Sequence, residues 1–179
     1  MNILVIDDQD RNVASAFRLQ NHGHSVTCYS DIELAYNELR DHHAMYDAVL
    51  TDLHMPVGLY RGSMGRGYFA PEGEIPAGLV FAIKAANCGI RTIICTDSDH
   101  HRDWMCALLD LLGRPETPDP HQRIVFVEAR CCRLGAYYDE KAHALIECEP
   151  EQREGRPLVK DWHAAMKGSR LFPELFPKA

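Results

Sequence analysis

Four apolar, β-rich runs of the chain end on, or are followed by, side chains that can do chemistry. These side chains are Asp7 and Asp8 after the first run, Asp52 after the third, Thr96 on the fourth and Glu128 on the fifth. Carboxylates that lie together repel one another unless a cation lies among them, and hard oxygen ligands suit Mg²⁺. An Asp beside Mg²⁺ can attack a phosphoryl group, while a hydroxyl such as that of Thr96 holds a phosphoryl oxygen.

These side chains would be positioned by alternating strands and helices. Strands are predicted at residues 2–6, 24–30, 46–51, 91–96 and 123–129, and helices at 10–21, 30–41, 76–88 and 99–112. An S-x-x-E capping box, Ser30 with Glu33, is predicted to open the second helix. Pro76 suits the first turn of the third helix and Gly89 its C-terminal cap. This order predicts an α/β fold, a parallel sheet with helices on both faces, in which the carboxyl ends of the strands meet at one edge.

Three motifs together resemble the receiver domains of two-component response regulators. They are "ILVIDDQ", "YDAVLTDLHMP" and "IICTDS", which match the family's acidic pair, its phosphoacceptor with Met-Pro, and its strand-four hydroxyl. The similarity is clear from residue 1 to about 56 and looser from 76 to 128. The resemblance implies a flavodoxin-like, doubly wound five-stranded parallel sheet of strand order 2-1-3-4-5.

The resemblance also implies roles for individual residues. Asp52 would accept a phosphoryl group from a histidine kinase or phosphotransfer protein. Asp8 and Asp52 would hold Mg²⁺, with Asp7 acting through water and the backbone carbonyl of His54 as a further ligand. Thr96 would bind the phosphoryl group. Such a chain signals to a downstream protein partner and is not expected to be a turnover enzyme.

Two segments depart from the family pattern. Residues 57–75 are predicted to be an inserted glycine-rich loop, either a plain surface loop or one from which Arg61 and Arg66 reach a phosphoryl group. Asp97, where the family usually has a small residue, either caps the next helix or crowds the site.

A further departure concerns the lysine that the family has at the end of strand five. Glu128 stands at that place, with Arg130 two residues on, whereas "RPLVKDWHAAM" at 156–166 resembles the family's pattern before its last helix. We therefore predict an insertion at 131–157, possibly folded as a hairpin, and a return of Lys160 to the site. The alternatives are a surface position for Lys160, near a helix start, or replacement of the missing lysine by Arg130.

The composition and net charge of the chain limit its possible domain organisation, partners and location. One receiver-like domain is predicted over 1–170, with the tail 171–179 as an extended arm that docks on a partner or on its own domain. A net charge of −7 argues against direct nucleic-acid binding, and no run is long enough to span a membrane. An odd cysteine count without C-x-x-C predicts reduced thiols and a cytoplasmic location. The face made by the fourth helix and fifth strand is a candidate surface for partners or a homodimer.

The sequence is also compatible with two other functions. Glu128 in place of lysine would suit a degenerate receiver that binds partners without phosphorylation. The spacing Asp8-x-Asp10 matches the nucleophile and acid/base of a Mg²⁺-dependent haloacid-dehalogenase-type phosphohydrolase. That family's following Thr is missing, because Asn12 takes its position, and the Met-Pro after Asp52 stays unexplained.

Overall fold

The fold is described from a computed structural model, which covers residues 1–56, 74–97 and 122–176. The strands are Asn2–Ile6 (β1), Ser25–Tyr29 (β2), Ala48–Thr51 (β3), Met55–Pro56 (β4), Glu74–Ile75 (β5), Arg91–Thr96 (β6), Ile124–Glu128 (β7), Ala136–Asp139 (β8) and Ala144–Glu147 (β9). The α-helices are Asp10–Ala16 (α1), Ile32–His42 (α2), Ala77–Asn87 (α3) and Trp162–Ser169 (α4). Short 3-10 helices are Phe17–His22, His43–Met45, Ala129–Cys132 and Pro150–Arg153.

Five strands form one parallel sheet in the order β2-β1-β3-β6-β7. Counted along the chain, the five sheet strands have the predicted order 2-1-3-4-5, so the predicted fold class is confirmed. The labels differ because the two-residue strands β4 and β5, which pair with each other, lie between the third and fourth sheet strands.

Helices cover both faces of this sheet. One face, with Val5 and Leu50 at its centre, packs against α1, the 3-10 helix that follows it and α4 through residues such as Leu19, Trp162 and Met166. Side chains alternate between the two faces along a strand. The other face, with Ile6 among its residues, therefore packs against α2 and α3. Strands buried on both faces are the reason why these runs are continuously apolar rather than alternating.

Several local expectations need correction. The cap of α2 is Asp31, whose carboxylate accepts a hydrogen bond from the Leu34 N–H at 2.8 Å, and not Ser30. The first predicted helix changes to a 3-10 helix at Phe17. The third helix has Pro76 as its N-cap residue rather than in its first turn, whereas Gly89, left-handed at φ +79° directly after the C-cap residue, ends the helix as predicted.

The chain after β7 forms an antiparallel hairpin and then the last helix. The hairpin consists of β8 and β9, with Ala136 opposite Glu147, and lies within the segment 131–157 where a hairpin is predicted. The tail is not an extended arm in its described part. Leu171 and Phe172 are buried in the core, and the chain turns there, since the Phe176 N–H bonds to the Phe172 carbonyl at 3.3 Å.

Some predictions lie outside the described residues. They are the structure of the loop from 57 to 73 with Arg61 and Arg66, the fourth predicted helix with the surface it would form, and residues 177–179. The six cysteines within the described residues are free thiols. No described helix combines the length and apolar character that crossing a membrane requires.

Candidate phosphoryl and metal site

The acidic pair and Asp52 meet at the carboxyl edge of the sheet. Ile6 is in register with Thr51, and the Asp52 N–H donates to the Ile6 carbonyl at 2.8 Å, so the residues that follow these strands lie side by side. One carboxylate oxygen from each of Asp7, Asp8 and Asp52 lies within 4.8 Å of the others. The sequence-predicted convergence of these three acids is therefore present in the structure.

Lys160 lies among these acids. Its Nζ is 2.7 Å from Asp7 Oδ2 and 3.0 Å from Asp52 Oδ1, and its side chain is 0% exposed. An isolated antiparallel β-bridge pairs the backbone of Lys160 with that of Arg133 and so positions Lys160. The Asp161 N–H then donates to the Cys132 carbonyl at 2.6 Å.

Arg130 does not take this place. Its side chain is 69% exposed and forms an ion pair with Glu128. Glu128 is not a member of the three-acid cluster. Of the two residues that could replace the missing lysine, Lys160 is the one that lies against Asp52.

Asn12 holds the buried pair in position, a role that sequence reasoning missed. Its side-chain NH₂ is 3.1 Å from both oxygens of Asp7, and its Oδ1 accepts the backbone N–H of Lys160 at 3.1 Å. The Trp162 indole N–H donates to the Asn12 carbonyl at 2.9 Å, which ties α1 to α4. The available signal was a polar residue at a fully buried position of a helix, because such a residue must find partners.

Gly78 is a second residue that sequence reasoning missed. A methyl group at Gly78 would lie 1.7 Å from the Asp52 carbonyl oxygen. The Gly78 N–H also donates to the Leu53 carbonyl at 3.0 Å. The first turn of α3 therefore packs directly on the backbone of the candidate phosphoacceptor.

Asp7, Asp52 and Lys160 lie close enough for the charge of each to shift the pKa of its neighbours. Burial raises the pKa of Asp52 to about 7, with Asp7 and Asp97 acting in the same direction and the Lys160 ammonium opposing them. Burial alone would lower the pKa of Lys160, but Asp7 and Asp52 outweigh it and hold that pKa above its ordinary value. An ion pair that is both buried and hydrogen-bonded fixes the ammonium where it lies.

The donor set suits a divalent cation. When Asp7, Asp8 and Asp52 are all ionised, one ammonium leaves two of their negative charges uncompensated, and such charges repel unless a further cation binds. Asp52 Oδ1 accepts the Leu53 N–H at 2.7 Å and faces Lys160, whereas Oδ2 has no hydrogen bond within the described part of the chain. Hard oxygen donors of this kind fit Mg²⁺.

The remaining predicted residues lie around this centre. Thr96 is buried at the end of β6, in register with Glu128. His54 follows Asp52 by two residues, and its ring Nδ1 is buried with no hydrogen-bond partner among the described residues. Asp97 forms an ion pair with Arg11 at 3.4 Å, and the helix that it is predicted to cap lies outside the described residues.

The chain was compared with known proteins, and the solved structures that resemble it have low sequence identity to it. No family model matches the chain, and no curated protein sequence matches it. A CheY-like response regulator receiver domain protein from Methanospirillum hungatei JF-1 is similar at 12% identity, covering 71% of this chain and 79% of that one, with a TM-score of 0.47. A receiver domain protein from Clostridium thermocellum is similar at 18% identity, covering 71% and 80%, with a TM-score of 0.44.

A third similar structure is the Thermotoga maritima response regulator protein TrrA in complex with Mg(2+)-BeF. It is 22% identical, covers 60% of this chain and 78% of its own, and has a TM-score of 0.40. All three names are those of response regulators or their receiver domains. The sheet order found here agrees with the receiver-like fold that the sequence motifs predict.

Proposed function

We propose that this chain is a stand-alone response regulator receiver that accepts a phosphoryl group on Asp52 in a Mg²⁺-dependent reaction. The observation that carries the proposal is the position of Lys160, whose Nζ lies 3.0 Å from Asp52 and 2.7 Å from Asp7. The chain lacks a lysine at the end of β7, yet a lysine from 32 residues further on, counted from Glu128 to Lys160, supplies an ammonium to the acids.

The proposed reaction is transfer from a phosphohistidine of a histidine kinase or phosphotransfer protein. Asp52 Oδ2 attacks phosphorus, the new O–P bond forms as the P–N bond breaks, and the departing imidazole takes a proton from water. Mg²⁺ held by Asp8 and Asp52, with Asp7 acting through water and the His54 carbonyl, would supply charge neutralisation. Lys160 neutralises part of the added charge, and the Thr96 hydroxyl binds one phosphoryl oxygen.

The proposed output is protein contact rather than turnover. Phosphorylation adds charge to a site where Asp7, Asn12 and Lys160 already form one hydrogen-bonded unit. Rearrangement of that unit would shift the population of surface conformations that a downstream partner reads. The proposal includes a contact with a partner or a second copy through the face predicted for residues 99–112 and strand β7. It also includes a cytoplasmic location.

A phosphorylation-independent binding module is the second candidate, and one observation favours it. Asp7 is 0%, Asp52 4% and Lys160 0% exposed, so the site is closed around its own ion pair. The phosphohydrolase alternative has less support. It needs Asp8 and Asp10 as partners, but the carboxylates that cluster with Asp8 within the described residues are those of Asp7 and Asp52.

One experiment separates these functions. The protein is incubated with Mg²⁺ and acetyl phosphate, and its intact mass is measured together with released phosphate. One added phosphoryl group that is lost in Asp52→Asn and without Mg²⁺ supports the receiver, with Asp41→Asn on the exposed end of α2 as the matched control. Absence of an adduct and of phosphate release would favour the binding module. Phosphate release that survives Asp52→Asn but not Asp8→Asn would favour the phosphohydrolase.

A further inference from the structure

A cleft of about 900 Å³ lies between the β1–α1 connection and the β8–β9 hairpin. We call it the hairpin cleft. Asp8, Asp10 and Arg11 form one side, Tyr137, Tyr138, Lys141 and His143 come from the hairpin, and Arg156 closes another side. Its volume is in the range of sites that bind small molecules. Nothing in the proposed phosphotransfer uses this volume except Asp8 at its edge.

The hairpin wall of the cleft is held in place. Arg18 on the 3-10 helix after α1 forms an ion pair with Glu147 of β9. The Arg153 guanidinium donates to the Leu134 carbonyl at 3.3 Å, and Tyr138 packs on the small apolar cluster that contains Val159. A fixed wall reduces the conformational entropy that a ligand must overcome on binding.

The planar guanidinium of Arg156 is a cation in the cleft that a ligand can contact. The Arg156 guanidinium lies over the Tyr137 ring, 3.7 Å from its centroid. Arg156 is exposed and forms no ion pair with a described residue, so its donors remain available to an anion. A guanidinium stacked on a ring can both pair with phosphate and stack on an aromatic ligand.

The cleft is lined by charges of both signs besides Arg156, which are the cations Arg11 and Lys141 and the acids Asp8, Asp10, Asp139 and Glu140. Lys141 at the hairpin turn is a second cation without an ion pair among the described residues. Asp139 is occupied by the turn itself, since its Oδ1 accepts the backbone N–H groups of Lys141 and Ala142 at 2.9 and 3.1 Å. At the opposite end Asp8 would repel an anion unless a divalent cation lies between them, and Mg²⁺ usually bridges a carboxylate and phosphate oxygens.

We propose that the hairpin cleft binds a phosphorylated ligand that carries an aromatic ring, of the nucleoside phosphate class, as its Mg²⁺ complex. Arg156 stacks on the ring or pairs with the phosphates beside Tyr137, Lys141 contacts the phosphates, and Asp8 faces the metal. The proposal rests on the hairpin cleft and does not depend on phosphorylation of Asp52.

The test is calorimetric titration of the full chain with ATP and ADP in the presence of Mg²⁺, and separately with adenosine and with pyrophosphate. ATP or ADP is expected to bind at least about tenfold more tightly than either half-ligand, because both the ring and the phosphates contribute. Arg156→Ala is expected to weaken binding by about tenfold or more, the loss of a charge-assisted contact. Arg156→Lys, which keeps the charge but not the flat plane, should recover only part of it.

Matched variants decide the location and separate the two proposals. Arg40→Ala removes an exposed arginine from α2 and should leave binding unchanged. Loss of the phosphoryl adduct in Asp52→Asn tests the proposed function alone, because Asp52 does not line the hairpin cleft. The proposal is overturned by lack of binding of ATP and ADP, by equal binding of pyrophosphate and ATP, or by unchanged binding in Arg156→Ala.

Discussion

The buried site around Lys160 and the hairpin cleft lie next to each other and share Asp8 as a border, but they use charge in opposite ways. In the buried site the Lys160 ammonium and the Asp7 carboxylate are 0% exposed and bonded to each other. In the hairpin cleft Arg156 and Lys141 are exposed and have no acidic partner among the described residues.

This difference follows from solvation. A charge that leaves water needs partners at short distance, so the fold must supply them for every buried member of the site. An exposed charge is solvated and needs none, so it stays available to a ligand. We therefore expect substitutions in the buried site to change stability and function together, whereas substitutions in the hairpin cleft should change binding alone.

The largest effect is expected for Lys160→Met. Removal of the ammonium leaves two buried carboxylates without a counter-charge, so the free energy of unfolding should fall by about 3–5 kcal/mol. Phosphorylation by acetyl phosphate should be lost as well. Urea unfolding and intact mass measure the two effects. Lys167→Met, at an exposed position of α4, is the control. Unchanged stability in Lys160→Met would mean that the buried ion pair is not formed.

A smaller effect is expected for Gly78→Ala. The new methyl group would meet the Asp52 carbonyl at 1.7 Å, and overpacking of this kind costs about 1–3 kcal/mol. Gly168→Ala in α4 is the matched control, because nothing lies within 4 Å of the added methyl group there. The control should be neutral or stabilising by up to about 1 kcal/mol. Equal melting temperatures for the two variants would contradict the close packing of α3 on Asp52.

A smaller effect on stability is expected on acidification, through His24 and His163. Burial lowers the pKa of His24 and of His163 below 6.5, and the His22 ring, stacked on His163 at 3.7 Å, acts in the same direction. The N-terminal amine lowers the pKa of His24 further. Near His163, Lys167 lowers its pKa and Asp161 opposes the shift.

The sign of the pH effect follows from proton binding. Below pH 6.5 the unfolded chain binds more protons at His24 and His163 than the folded chain does, so these residues destabilise the fold as the pH falls. Asp52, with its raised pKa, acts in the opposite sense. The measurement is therefore the difference in urea midpoint between the native chain and His163→Gln from pH about 7.5 to 5.5. The native chain should lose more stability than the variant, and parallel profiles would contradict the assignment.

The smallest effect on stability is expected in the hairpin cleft. Arg156→Ala removes an exposed side chain that packs on the face of Tyr137, so the free energy of unfolding should change by no more than about 0.5 kcal/mol. Thermal melting measures it beside the native chain. A loss as large as that expected for Lys160→Met would show that Arg156 is structural, and would remove the contrast between the two regions.

The sequence by itself determined the sheet and its acidic edge. Continuous apolar runs predict buried strands, and parallel strands bring their carboxyl ends to one edge, so the residue order alone places Asp7, Asp8 and Asp52 together. Local chemistry was less reliable at helix ends. Ser30 and Asp31 are adjacent and both can cap a helix, and only the backbone conformation selects Asp31.

Only the tertiary structure decided which cation reaches the acids and what holds it there. The pattern at 156–166 predicted the return of Lys160 but left a surface position and Arg130 as alternatives, because Lys160 and Asp7 are separated by 153 positions and by the hairpin between β7 and α4. Asn12, Gly78 and the pairing of Arg156 with Tyr137 likewise depend on which segments pack together. Local periodicity follows from the geometry of a single helix or strand. Contacts between distant residues depend instead on packing of the whole chain, and the burial that packing creates forces each charge to find its partner.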